Sequence, residues 1–117
     1  MSERAVFRLR DMKDAIVQIE ALLHGRTIDT LRSDRVARAA YERFLEILSE
    51  ASRGVPDAWK EEAPGAVPWR RIADIGNHIR HAYDRLDAEI LWNVYEDHLA
   101  VLEQAVDAMI AQHASAS

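Results

Sequence analysis

The positions of the prolines limit this chain more than any other sequence feature. Its three Pro residues, Pro56, Pro64 and Pro68, fall in one short segment near the middle, and the chain has four Gly. Because Pro interrupts both helices and the interior of sheets, the residues on either side of this segment can form long uninterrupted elements. The pattern therefore predicts two long helical regions joined by a loop.

Two amphipathic helices are predicted before the proline segment. Apolar residues recur at steps of three and four from Met12 to Leu23 and again from Val36 to Ala51, which indicates one apolar face on each helix. The first helix should stop at His24-Gly25 and the second near Gly54, because Gly can cap a helix C-terminus. The residues from Thr27 to Thr30 are predicted to form a polar connection.

Boundaries are also predicted for the proline segment and for the two helices after it. The segment from Pro56 to Pro68 is predicted to be a loop with one helical turn around Trp59. A third helix should begin at Trp69, since Pro68 suits its first turn, and should end near Tyr83-Asp84. A fourth should begin at an N-cap on Asp87 and continue towards the C-terminus.

Four amphipathic helices with short connections predict an all-α fold. We expect an antiparallel four-helix bundle of up-and-down topology, with a loop between the second and third long helices. A chain of 117 residues has the size of one domain. The expected domain is 1–117, with a core at about 9–110 and a frayed tail at 111–117.

Cysteine content and charge exclude several kinds of site. The chain has no Cys, which leaves no disulfide framework and no thiolate zinc site. No apolar run approaches the roughly 20 residues that cross a bilayer, and the N-terminal run does not resemble a signal segment, so we expect a cytoplasmic protein. The net charge of -5 gives no general attraction to nucleic acid, so an RNA site would have to be a local basic patch.

The stretch I-G-N-H-I-R-H-A-Y, residues 75–83, concentrates polar and basic residues on the third helix. At helical spacing Asn77, Arg80, His81 and Asp84 share one side, opposite the apolar stripe, so they should face away from the core. An Arg for anionic oxygens, a His for proton transfer and an Asn form a set that suits a phosphate ester. The same spacing is equally typical of a solvated polar helix face.

Other residue patterns on these helices have structural explanations. Asp74, His78 and His81 have the spacing of a metal clip, but three helix positions without a fourth ligand more often face solvent. We therefore predict no metal site and no cofactor. The three Trp residues should be core or hinge aromatics rather than platforms for nucleic-acid bases; they are Trp59, Trp69 and Trp92.

The remaining polar residues divide between packing and surface roles. His98 lies near an apolar seam and should have a packing or interface role. Arg70 and Arg71 should lie on a solvated face, or join Arg80 and Arg85 in a local positive patch. The run Lys60-Glu61-Glu62 is predicted to be a solvated loop.

The order and spacing of these segments resemble the HepT-like toxins of the HEPN superfamily. The likeness runs from about Leu9 to Met109. It is carried by D-M-K-D-A-I, E-I-L-S-E-A-S, the P-D and P-W pairs around the loop, the stretch 75–83 and D-x-x-I-L-W after it. The resemblance implies a HEPN four-helix domain that forms a homodimer, in which two motif helices build one RNase site. It also implies a minimal nucleotidyltransferase as antitoxin partner, which in some pairs adenylylates the motif Tyr.

The family motif is an Arg, then a polar residue, then H-x-Y a few residues later. His81 and Tyr83 match its end and Asn77 its polar position, whereas Gly76 stands where the Arg is expected and Arg80 follows one turn later. The resemblance implies metal-independent cleavage by attack of the RNA 2'-hydroxyl, with Arg80, His81 and Asn77 as catalytic residues. It implies that Tyr83 contacts the substrate or is modified by the partner.

Three functions are compatible with the sequence. The first is the RNase component of a toxin-antitoxin pair. The second is a HEPN subunit that has lost hydrolytic activity and binds a nucleotidyltransferase. The third is a helical interaction protein that shares only the fold. RNA cleavage separates the first from the second, and a change at His81 without any measurable effect would favour the third.

Overall fold

The computed structural model describes residues 2–81 and 87–114. Within these ranges every regular element is helical, which confirms the all-α prediction. The helices are α1 (Ser2–Leu23), α2 (Ile28–Ser33), α3 (Arg35–Arg53), α4 (Asp57–Glu62), α5 (Trp69–His81), α6 (Ala88–Asn93) and α7 (Leu99–Ala114), with a π-helical segment, Val94–His98, between α6 and α7.

The long helices pack as antiparallel neighbours. Side chains near the start of α1 meet the end of α3, where Arg8 lies against Gly54. The end of α3 meets the start of α5, where the Ser49 hydroxyl donates to the Ala73 carbonyl. Lys13 on α1 pairs with Glu103 on α7. Together with the continuous helical run from α6 to α7, these contacts confirm the four-helix bundle.

The core forms where the apolar faces of these helices meet. Tyr41 is fully buried among aliphatic side chains, and its hydroxyl donates to the Leu91 carbonyl at 2.5 Å. That bond satisfies the phenol and links α3 to α6, since a buried hydroxyl without a partner would be destabilising. Burying one large aliphatic side chain stabilises the fold by roughly 1.5–3 kcal/mol. Fully buried members include Leu9, Met12, Ile16, Ile19, Leu23, Leu45, Leu48, Leu91 and Leu102.

The first two long helices end where predicted, but the connection between them is helical. α1 ends at Leu23, directly before His24-Gly25, and α3 ends at Arg53 with Gly54 as its C-cap. The predicted polar connection at Thr27 to Thr30 is wrong, because α2 starts at Ile28 and buries Leu31. The burial of this one apolar residue explains a short helix that periodicity could not indicate.

The proline segment contains the predicted helical turn around Trp59, within α4. The Trp59 ring stacks on His113 of α7, with centroids 3.6 Å apart. Lys60, predicted to be in a solvated loop with Glu61 and Glu62, is instead in α4 and half-buried. Its ammonium lies 5.4 Å from the Trp69 ring centroid, and desolvation by burial lowers the pKa of Lys60.

The C-terminal helical run begins at the predicted cap. The Asp87 carboxylate accepts a hydrogen bond from the Glu89 backbone N–H at 2.9 Å. The π-helical segment after α6 was not predicted; it contains the half-buried His98. Helix α7 continues to Ala114, so residues 111–114 of the predicted tail are helical, and the rest of that tail lies outside the described residues. None of the described helices is long and apolar enough to span a membrane.

A small charged cluster links α1 to α7. Lys13 pairs with Glu103 and Asp107, at 2.8 and 2.9 Å. Desolvation by burial, together with a side-chain hydrogen bond to Glu103, raises the pKa of Glu20 to about 7. The pKa of Glu103 is lowered by its hydrogen bond to Lys13. Glu20 therefore keeps its proton in the folded chain at pH values where the unfolded chain has lost it.

This raised pKa predicts a pH-dependent loss of stability. The folded protein is destabilised relative to the unfolded chain as pH rises from the ordinary value of 4.5 to about 7, where ionised Glu20 would face Glu103. We expect Glu20→Gln, which keeps the shape of the protonated form, to raise Tm by a few degrees at about pH 8. The gain should shrink as pH falls towards 4.5.

Thermal melts across this pH range provide the measurement. Exposed Glu61 offers a matched control, because Glu61→Gln removes the same charge outside the cluster. A gain for Glu20→Gln that is equal at every pH would contradict the titration of Glu20 as its cause.

Candidate functional site

Helix α5 presents one face to α3 and the other to solvent. Ile72, Ile75 and Gly76 are buried, whereas His78 and His81 are exposed. The apolar positions follow the helical period, so packing of this stripe against α3 fixes how α5 is rotated. The orientation of every candidate residue on α5 follows from this rotation.

Helix α5 lies close against α3 at Gly76. The Ser49 hydroxyl donates to the Ala73 carbonyl at 2.8 Å and accepts from the Gly76 backbone N–H at 3.1 Å. A Cβ on Gly76 would lie 2.8 Å from Ser49 Oγ. Arg53 also donates to the Ala73 carbonyl, from Nη2 at 2.7 Å. Position 76 therefore faces α3, and a side chain there would separate the two helices.

Arg80 lies beside this contact, held by two neighbours. Its Nη2 donates to Asn77 Oδ1 at 2.5 Å, and its Nη1 lies 3.9 Å from Glu46 Oε2. The same Nη1 is 3.5 Å from the point where a Cβ on Gly76 would be. The guanidinium of Arg80 thus occupies the surface next to position 76, although its own backbone is one helical turn away.

The structure brings some of the predicted site residues into contact and leaves others apart. Asn77 and Arg80 are in contact, whereas the His81 side chain makes no hydrogen bond to another described residue. The outward orientation is confirmed for His81 and Arg80, which are both exposed, although the Arg80 guanidinium also approaches Glu46 of α3. Tyr83 and Asp84 lie outside the described residues. The arrangement presents a guanidinium and an imidazole from adjacent positions at the end of α5.

The metal clip is not formed by the described side chains. Among residues 2–81 and 87–114, no three His, Cys, Asp or Glu side chains are grouped so that they could hold a metal ion. Asp74 and His78 instead line a shallow cleft of about 290 Å³ with Arg71, Ile75 and Ile90. This cleft lies on a different side of α5 from Arg80.

Sequence reasoning did not identify the cleft next to Arg80. A cleft of about 220 Å³ lies between α1 and α3, and we call it the α1–α3 cleft. It combines residues that are distant along the chain, so no single motif could indicate it. The only sequence signal is that the segments D-M-K-D-A-I and E-I-L-S-E-A-S each contribute to it. Its lining residues are Arg8, Asp11, Arg43, Glu46, Ile47, Glu50, Ala51 and Arg80.

The contact at Gly76 predicts a specific stability loss. Gly76→Ala should lower the free energy of unfolding by about 1 kcal/mol, because overpacking against Ser49 outweighs the higher helix propensity of Ala. Urea unfolding would measure this change. Adding Ser49→Gly should make the double variant more stable than the two single losses predict, since it removes the group that clashes.

Gly54 provides a matched control. A Cβ there would also meet an atom at 2.8 Å, but that atom is Cγ of the flexible, exposed Arg8 side chain. Gly54→Ala should therefore reduce stability less than Gly76→Ala. Equal losses for the two variants would show that the α3–α5 contact adapts as freely as a surface side chain.

Comparison with known proteins assigns this chain to a family. A family model named HepT-like and described as "Ribonuclease HepT-like" matches residues 12–109 of this chain. The chain is 30% identical over 95 residues to "Probable ribonuclease HepT" of Thermococcus cleftensis, covering 81% of this chain and 86% of that protein. It is 29% identical over 75 residues to "Putative RNase MJ1380" of Methanocaldococcus jannaschii, covering 64% of this chain and 68% of that protein.

No solved structure matches the chain. The family model nevertheless covers α3 and α5 completely and most of α1 and α7. It includes Gly76, Arg80 and His81 together with the helices that orient them. The chain belongs to the HepT-like ribonuclease family.

Proposed function

We propose that this protein is a metal-independent endoribonuclease and the toxin of a HEPN/nucleotidyltransferase toxin-antitoxin pair. Family membership supports ribonuclease activity. The observation that carries the catalytic assignment is the Arg80 guanidinium, which is held by Asn77 and belongs to the residue directly before the exposed His81. A cation that stabilises phosphoryl charge and a group that transfers protons are what cleavage of a phosphodiester requires.

The proposed reaction uses the 2'-hydroxyl of the RNA as nucleophile. Its oxygen attacks the adjacent phosphorus as the bond from phosphorus to the 5'-oxygen breaks, which gives a 2',3'-cyclic phosphate and a free 5'-hydroxyl. His81 takes the proton of the 2'-hydroxyl, and the leaving 5'-oxygen gains a proton from an imidazolium or from water. Arg80 stabilises the negative charge that increases on the phosphoryl oxygens. Asn77 orients Arg80.

In this proposal Arg80 compensates for the departure from the family motif. Gly76 stands where the motif has Arg, and an Arg side chain there would start against Ser49. The Arg80 Nη1 already lies 3.5 Å from the Cβ position of residue 76. In this proposal Arg80 provides from the next turn the charge that the motif Arg would provide.

A nucleotidyltransferase partner would act on Tyr83, two residues after His81. Addition of a nucleotide to the Tyr83 hydroxyl would place a phosphate and a base close to His81. The added negative charge would repel an RNA phosphate, and the added nucleotide would block access to the site. Modification by the antitoxin would therefore inhibit cleavage.

A second function is favoured by one specific observation, the Gly at position 76. If Arg80 cannot replace the missing Arg, the protein is a HEPN subunit that binds its nucleotidyltransferase without cleaving RNA. The Glu46 carboxylate, 3.9 Å from Arg80 Nη1, would compete with a phosphate for that guanidinium. The two functions differ in one measurable property, RNA cleavage.

The primary prediction concerns cleavage without metal ions. Purified protein in EDTA should cleave single-stranded or structured RNA, and Arg80→Ala and His81→Ala should each reduce the rate by about 100-fold or more. The reason is that each variant loses a group that acts on the reacting phosphate. Gel analysis of labelled RNA over time would measure the rates.

Two variants on the same helix serve as controls. His78→Ala and Arg71→Ala remove an exposed imidazole and an exposed guanidinium from the other cleft, so they should cleave at the wild-type rate. Unchanged cleavage by His81→Ala would contradict its catalytic role. Recovery of activity only on addition of Mg²⁺ would contradict metal independence, and a folded wild type that never cleaves would favour the binding subunit.

We also expect a homodimer that brings two α5 helices together. Large apolar side chains remain exposed, including Phe7 at 66% and Val36 at 80%, and exposed apolar surface favours association. Light scattering at micromolar concentration should give twice the chain mass of 13.3 kDa. A monomer under these conditions would contradict a site shared between two copies.

A further inference from the structure

The α1–α3 cleft brings arginines from three helices to one place. Arg8 comes from α1, Arg43 from α3 and Arg80 from α5. Because Arg80 belongs to both this cleft and the proposed catalytic site, the two are continuous. A polymer bound at Arg80 could therefore extend into the cleft between α1 and α3.

The stem of the Arg8 side chain lies against Gly54, which has no side chain. Its Cγ, Nε and Cδ lie 2.8, 3.1 and 3.2 Å from the point where a Cβ on Gly54 would be. The absence of a side chain at the end of α3 thus lets the Arg8 stem lie across this helix end. The same side chain also lines the α1–α3 cleft, so the Arg8 stem can cover the helix end while its charge serves the cleft.

Arg8 and Arg43 are distinguished by lying in one cleft with guanidinium groups that no described residue holds. Neither forms an ion pair or hydrogen bond with any of the described residues. Five other arginines in this part of the chain are held by a protein oxygen, namely Arg26, Arg32, Arg38, Arg53 and Arg80. The cleft therefore presents two cations whose hydrogen-bond donors are available to a ligand.

Three carboxylates in the same cleft limit what that ligand can be. Asp11, Glu46 and Glu50 line the cleft together with the arginines, so a small, highly charged anion would be repelled as well as attracted. RNA matches a mixed lining better, since its phosphates can bind guanidinium groups and the N–H groups of its unpaired bases can donate to carboxylates. The apolar part of the lining consists of Ile47 and Ala51, which is too little to anchor an apolar peptide side chain.

We propose that the α1–α3 cleft binds the RNA backbone beside the cleaved phosphate, with Arg8 and Arg43 as phosphate contacts. This proposal rests on the ribonuclease function proposed above. Arg80 holds the reacting phosphate, while Arg8 and Arg43 hold neighbouring phosphates and set the register of the strand. They are binding residues and take no part in bond breaking.

The test measures RNA binding separately from cleavage. The probe is a fluorescent 2'-O-methyl RNA of about 12 nucleotides, which lacks the attacking hydroxyl and stays intact. Fluorescence anisotropy gives the dissociation constant at salt concentrations from about 50 to about 200 mM. The proteins compared are wild type, Arg8→Ala, Arg43→Ala and the control Arg10→Ala, which removes an exposed charge from α1 outside the cleft.

We expect Arg8→Ala and Arg43→Ala each to weaken binding on the order of tenfold at low salt. Each should also reduce the slope of log affinity against log salt by about 0.7, the value for one phosphate contact on a single strand. In cleavage assays both should raise KM more than they lower kcat. Arg10→Ala should behave as wild type in all three measurements.

Two outcomes would overturn the proposal. One is a wild type that does not bind the probe at low salt; the other is binding by Arg8→Ala and Arg43→Ala with wild-type affinity and salt slope. Either result is separable from failure of the ribonuclease function, which is judged by the Arg80→Ala and His81→Ala cleavage rates. Binding that depends on Arg8 and Arg43 in a protein that cleaves no RNA would support the cleft while contradicting the catalytic proposal.

Discussion

The close contact between α3 and α5 at Ser49 and Gly76 is the constraint on which the site depends. Small residues on both helices let the backbones approach until the Ser49 hydroxyl bonds to two groups of α5. These bonds fix both the rotation of α5 and its position along α3. Because Gly76 has no side chain, the surface beside it is open to a group from elsewhere on the helix. The space that a larger residue would fill is next to the Arg80 guanidinium.

Helix geometry explains why that group comes from position 80. Side chains on an α-helix tilt towards its N-terminus, so a long side chain covers the turn before its own Cα. One turn rises about 5.4 Å, a distance that the flexible Arg stem can span. The guanidinium of Arg80 therefore reaches position 76, where its Nη2 donates a hydrogen bond to Asn77 Oδ1. An Arg at position 80 can therefore place its charge close to position 76, although the two positions are four residues apart in the sequence.

The sequence predicted the four long helices because their signals are local: proline placement, apolar periodicity and caps such as Asp87. It did not predict α2 or the burial of Lys60, because these depend on tertiary packing of Leu31 and Trp69. In the candidate site, spacing brought Asn77 and Arg80 together correctly, since residues three apart are neighbours on a helix. The turn of Arg80 towards α3 and the approach of Arg8 could not be predicted, because both follow from contacts between separate helices.

Charge placement also decides how an acidic protein can act on RNA. A net charge of -5 gives long-range repulsion of a polyanion, so binding requires cations that are concentrated and unpaired. Arg26, Arg32 and Arg38 each face a carboxylate, which removes them as general RNA contacts. The free guanidinium groups of Arg8 and Arg43 lie instead in the cleft that continues to Arg80. In the proposed function this arrangement favours RNA binding near Arg80, because three guanidinium groups from separate helices lie in one cleft there.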